Sequence, residues 1–224
     1  MAITLIPGSA VASETVGARA AAPQGPGRIV QVLDDIEASL VESRYSPVTQ
    51  VNPKTGLYQF DCSGMASWVL RRAAPAAWQK VRERSATGRL VARDFFRTIA
   101  AVSPTKPSWS WQRVERVEEA APGDVIAWLK PPWRSGVTGH VGFVVAAPTP
   151  SQRVPGGFLV RFADASRYLH QDDSREGSGR DGFGRGTILL MAHPETGVPV
   201  GYGWYGDLSS RFAETEVVIG RPRR

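Results

Sequence analysis

Between Arg28 and Leu40, apolar residues recur at three- and four-residue intervals: Ile29, Leu33, Ile36 and Leu40. That spacing lines one face of a helix and predicts one from Arg28 to near Ser43, before Tyr45 and the Pro47 turn. The stretch VNPKTGLY reads as a loop or tight hairpin, opened by Asn52-Pro53 and closed at Gly56. From Cys62 to about Arg72 a second helix is predicted, with Met65, Trp68 and Val69 on one side, until Pro75 interrupts. Val91, Phe95, Ile99 and Val102 form the stripe of a third, over Leu90 to Val102. SPTKPSWSW reads as loop.

Beyond that loop the pattern changes. DVIAWL, HVGFVVAA, GFLVRFAD, GTILLMA, VGYGWYG and EVVIG are short runs rich in β-branched and aromatic residues. Turn residues at Pro122-Gly123, Pro155-Gly156-Gly157 and Glu195-Thr196-Gly197 separate them. Helices followed by consecutive strands predict an α+β fold, with N-terminal helices packed on an antiparallel sheet. QDDSREGSGRDGFGRG reads as a long surface loop. Residues Met1 to Gly27 are rich in Ala, Gly, Pro and Ser and read as a flexible leader. Within them, Ala-Val-Ala resembles a signal-peptidase site, but no positively charged start precedes the short apolar run. A remnant of a secretion signal is the alternative reading. One domain over 28–224 is expected.

Charge and cysteine count narrow the chemistry. Lys plus Arg number 27 against 21 Asp plus Glu, and all but Lys54, Lys80, Lys106 and Lys130 of the cations are Arg. The arginines are scattered and form no basic stripe interleaved with aromatics, which argues against nucleic-acid binding. No apolar run is long enough to span a bilayer. A single cysteine excludes an internal disulfide and a multi-thiolate zinc site. No metal or other cofactor is implied.

That cysteine has a distinctive setting. A lone Cys is most often a small buried hydrophobe. Here Asp61-Cys62-Ser63-Gly64 directly precedes the second predicted helix, and Asp61 and Ser63 suit a helix start. Cys62 would then sit in the first turn, where free N–H groups offer an oxyanion site and where a thiol pKa is lowered. Of three histidines, His140 opens the strongest strand signal and is flanked by Gly139 and Gly142. Asp164 on the next predicted strand can orient an imidazole beside it. His170 is the other candidate for that third position.

FDCSG, followed by APGDVIAW and then GHVGFVV, resembles the NlpC-type cell-wall peptidases, papain-like cysteine hydrolases of bacteria. The resemblance covers roughly residues 28–170. It implies a papain-like fold, Cys62 as nucleophile, His140 as base and Asp164 as the third polar residue. Relative to the family core, Ala73 to Ala120 is a helical or loop insertion, and the β region after Asp164 is an extension. A tyrosine upstream of the Cys lines the family's site, which implies substrate binding by Tyr45 in SRYSPV. Asp61 and Ser63, flanking the thiol, and His170 complete the substrate-binding candidates. His170, Asp172, Asp173 and Arg175 are alternatively a hard-cation site or part of a solvated loop.

Three functions follow. The first is a hydrolase of peptidoglycan stem peptides acting through an acyl-enzyme, which places the protein in the periplasm or outside the cell, a cytoplasmic location being the alternative. The second is an amidase, acyltransferase or toxin using the same fold on another amide or ester. The third is a binding module without chemistry, with Trp109, Trp111, Trp133, Trp204 and Tyr202 available for sugars or peptides.

Overall fold

The computed structural model describes residues 25–130 and 138–223. The leader up to residue 24 and Trp133 lie outside the described residues. The chain opens with α1 (Pro26–Ser39), then β1 (Glu42–Tyr45), β2 (Gln50–Asn52) and β3 (Leu57–Phe60), followed by α2 (Cys62–Ala73), α3 (Pro75–Arg82) and α4 (Ala92–Ala100). From there strands dominate: β4 (Trp111–Val114), β5 (Val125–Leu129), β6 (Gly139–Val144), β7 (Thr149–Pro150), β8 (Gly157–Ser166), β9 (Gly182–Ala192), β10 (Pro199–Gly203), β11 (Ala213–Glu214) and β12 (Val217–Pro222). The result is a mixed α+β fold.

The predicted helices form with their ends shifted by up to four residues. Proline at the first position starts α1, and Ile29, Val32, Leu33 and Ile36 are its buried stripe. Pro75 does interrupt the helix, since α2 ends at Ala73, and it also starts α3, a position where the missing N–H costs no hydrogen bond. The VNPKTGLY hairpin forms as antiparallel β2–β3, and β1 joins β3 in parallel, so this small sheet departs from the all-antiparallel expectation. The large sheet runs β11-β10-β9-β8-β6-β5-β12-β4, with β7 beside β8. Every pair in it is antiparallel. The last strand, β12, inserts between β5 and β4. Its Arg221 forks onto Asp124 (Nε–Oδ1 2.8 Å, Nη2–Oδ2 2.9 Å) in the turn before β5. That turn therefore also clamps the C-terminal strand.

Both faces of the central strands are buried, which explains their nearly continuous apolar runs. One face carries Val125, Ala127, Val141, Phe143, Ala163 and Ala165 into a core shared with all four helices. By alternation the other carries Ile126, Trp128, Val144, Val160, Phe162, Ile188 and Leu190 into a second core with Tyr202. The glycine-rich segment after Gln171 is only partly a surface loop. Gly182 to Gly186 belong to β9, and Asp173 and Arg175 are buried against it.

Candidate active site

Two elements from different layers build the site. Asp61 caps α2: its Oδ1 accepts from the Gly64 N–H at 2.7 Å and from the Ser63 hydroxyl at 2.9 Å. Its Oδ2 pairs with Arg89. Cys62 is thus the first residue of the helix, buried in the helix-side core. Gly64 permits this packing, because a Cβ there would collide with the Thr49 hydroxyl.

The sulfur meets β6 at the peptide joining His140 to Val141, whose N–H faces it, as does the N–H of Ser63. The ladder geometry explains the first contact. Val144 donates to Asp124 on the β5 side, so alternation turns the Val141 N–H away from β5. On its other side β6 pairs with β8 at Phe143–Ala163 and Val144–Phe162, short of Val141. Cys62 occupies the place left at that end of the ladder.

His140 and Asp164 project on the opposite face of the sheet from the helices, with Trp128 and Phe162. The His140 ring lies 5.0 Å from Trp128 and 5.0 Å from Trp204, centroid to centroid. Its Nε2 is 2.7 Å from Asp164 Oδ2. A carboxylate only accepts, so Nε2 carries the proton, and a neutral His140 has its lone pair on Nδ1. His170 Nε2 lies 3.0 Å from the same Oδ2, off the direction of an ideal hydrogen bond. Burial would raise the Asp164 carboxyl, but the charge of His170 and the contacts from both imidazoles outweigh it and hold Asp164 well below the usual carboxylate range. His140, Asp164 and His170 therefore form one contiguous set, with Asp164 at its centre.

Not every expectation for the thiol holds. Burial first, then the Asp61 carboxylate, push Cys62 up to about 12, against the lowering by the Val141 and Ser63 N–H groups. The cap that starts the helix places a negative charge beside the sulfur and works against the helix-start effect. Cys62 rests as a thiol, and no hydrogen bond joins it to His140 in this structure.

The remaining predicted residues fall as follows. Tyr45, at the end of β1, is near enough to Cys62 for the two to interact; burial, then Cys62 and Asp61, push its hydroxyl up to about 12. Asp61 and Ser63 border a hollow of about 490 Å³ alongside α2, also lined by Trp68, Trp78, Arg71 and Arg82. His170 is 1% exposed and sits behind Asp164, not in an open groove. Asp173 and Arg175 form a buried ion pair, and among the described residues no group of three His, Cys, Asp or Glu could hold a metal ion. Trp111 is core and Trp109 is exposed. Trp204, one of the aromatics available for ligands, packs over both imidazoles, 4.4 Å from His170. Arg175 was legible in part: glycines at 184 and 186, alternate positions of one strand, signal a close approach on one face. A Cβ at Gly184 would strike Arg175, and one at Gly186 would strike His170. No family model, curated protein or solved structure matches this chain.

Proposed function

We propose that this protein is a papain-like cysteine hydrolase that cleaves amide bonds, with peptidoglycan stem peptides as substrate. The observation that carries the reading is the junction of Cys62, first in its helix, with the His140–Val141 peptide, while Asp164 fixes the His140 tautomer. In this reading Nδ1 of His140 takes the thiol proton as sulfur attacks the carbonyl carbon. Helix-start N–H groups receive the oxyanion. His140 then returns the proton to the leaving amine, and water hydrolyses the thioester. A thiol held protonated at rest fits a base that acts when substrate arrives. The hollow beside α2, with Arg71 and Arg82 at its wall, suits the carboxylates of stem peptides. Export follows from the substrate.

The test is digestion of purified peptidoglycan, with mass spectrometry of the released fragments. Wild type should release peptides with new amino termini, and Cys62→Ala should reduce this at least a thousandfold. Equal release by the two would remove Cys62 from the chemistry. The raised thiol favours one rival, a binding module that keeps the fold without turnover. It predicts peptidoglycan binding with no cleavage by either protein. Cleavage of other amides or esters, but not of peptidoglycan, would favour the amidase or acyltransferase reading.

A further inference from the structure

Each ring nitrogen of His170 faces an oxygen that can only accept. Nδ1 is 2.9 Å from the Trp204 carbonyl oxygen, and Nε2 is 3.0 Å from Asp164 Oδ2. A carbonyl requires a proton on Nδ1. A neutral ring would then aim its Nε2 lone pair at a buried carboxylate oxygen, a repulsive contact in a low-dielectric site. Protonation of both nitrogens removes the conflict.

The surrounding charges balance on this basis. Arg175 is 3% exposed, and its donors are used: Nε and Nη2 on Asp173 (2.8 and 2.6 Å), Nη1 on the Ser166 and Gly182 carbonyls (2.9 and 2.8 Å), and Nη2 on the Tyr168 carbonyl (3.1 Å). Asp173 also accepts from the His170 backbone N–H at 2.9 Å. Asp173 is therefore neutralised by Arg175. Asp164 has Arg175 only at 3.7 Å, on Oδ1, which lacks a hydrogen bond. An uncompensated carboxylate buried this deeply is costly, so it needs a cation from His170 or from His140.

We propose that His170 is a positioning residue that rests as a buried imidazolium and neutralises Asp164, leaving His140 uncharged and able to accept the Cys62 proton. Asp164 then orients His140 without holding it protonated. Burial disfavours the charged ring, but Asp164 outweighs that and raises His170 above the ordinary histidine value. The groups facing His170 are Asp164 from β8, His140 from β6 through the shared oxygen, and Asp173 and Arg175 from the following loop. This proposal rests on the hydrolase reading for its role in turnover, but the charge state stands alone.

The test is long-range ¹H–¹⁵N NMR of the whole protein, with His170 assigned by its loss in His170→Asn. Both His170 nitrogens should keep imidazolium shifts at pH 7.5. One nitrogen with a lone-pair shift at that pH would overturn the proposal, whether or not the protein cleaves anything. In His170→Asn and His170→Gln, loss of the cation should move the acidic limb of the hydrolysis pH profile upward. An unmoved limb in folded variants would equally overturn it. Failure of wild type to hydrolyse any substrate, with imidazolium shifts intact, would count against the hydrolase reading while supporting the charge state.

Discussion

Replacing Asp61 separates two effects that the wild-type side chain combines. Its carboxylate caps α2 through Gly64 and Ser63, and the same charge raises the thiol after burial has done so. Asp61→Ala loses the cap, which costs about 1–2 kcal/mol, and the partly exposed Arg89 pair, which adds about 0.5 kcal/mol. Asp61→Asn keeps an oxygen acceptor for the Gly64 N–H and loses only the Arg89 pair, so it should cost about 0.5 kcal/mol. Both remove the charge. An interaction between neighbouring unit charges in a partly screened setting is on the order of 1 kcal/mol, so the thiol pKa should fall by about one unit. Below that pKa the thiolate fraction then rises about tenfold, but a more acidic thiolate is a weaker nucleophile, which leaves about a threefold faster alkylation. The assay is iodoacetamide modification of Cys62, the only cysteine, at one fixed pH, with urea unfolding in parallel. Asp61→Asn should label about threefold faster at near wild-type stability, while Asp61→Ala should also be less stable. Asp61→Asn that labels no faster, or that unfolds as readily as Asp61→Ala, would refute this account of the cap.

Two further outcomes follow from the buried charges. Asp164 and Asp173 are held low, so the stability they contribute is present above the unfolded carboxylate pKa of about 4 and is lost as pH falls through their folded values. His170 is held high, so its contribution is full below the unfolded value of about 6.5 and is lost as pH rises through its folded value. Urea unfolding should therefore show greatest stability between those limits, and a maximum above pH 8 would contradict the charge assignment. Gly184→Ala places a methyl against the Arg175 side chain in a site whose donors are all engaged; it should cost about 1–3 kcal/mol by the usual overpacking penalty, and a loss within about 0.5 kcal/mol in the same assay would show that the cradle yields freely.

Local signals carried the sequence reading furthest. The α1 and α4 stripes, the Asp61 cap and the strand runs from Val125 onward each depend on neighbours within a few residues, and they formed with small shifts at their ends. Pro75 marked the end of α2, but α3 went unread because the same residue that breaks a helix interior also starts a new helix. The place of β12 between β5 and β4 was hidden, since its anchor, Arg221 on Asp124, joins residues 97 apart in the chain. His140 and Asp164 were found because consecutive strands put them side by side. His170 and Arg175 were harder: they follow a strand in a polar stretch, and only the alternating glycines beneath them mark the approach. The thiol went the other way from expectation because burial raises it first, and because Asp61, the residue that starts the helix, also charges its surroundings.

The central claim is that Cys62 and His140 exchange a proton. It is tested most directly by the rate of iodoacetamide labelling of Cys62 from pH 5 to pH 10, in wild type and in His140→Ala. A thiol that hands its proton to a neutral imidazole gives a thiolate population independent of pH for as long as that ion pair outweighs direct ionisation of the thiol. Wild type should therefore show a flat stretch around neutrality, and His140→Ala should replace it with a rate that climbs about tenfold per pH unit, as for an isolated thiol below its pKa. The same unbroken climb in both proteins would mean that Cys62 reacts alone, and the catalytic account would fall.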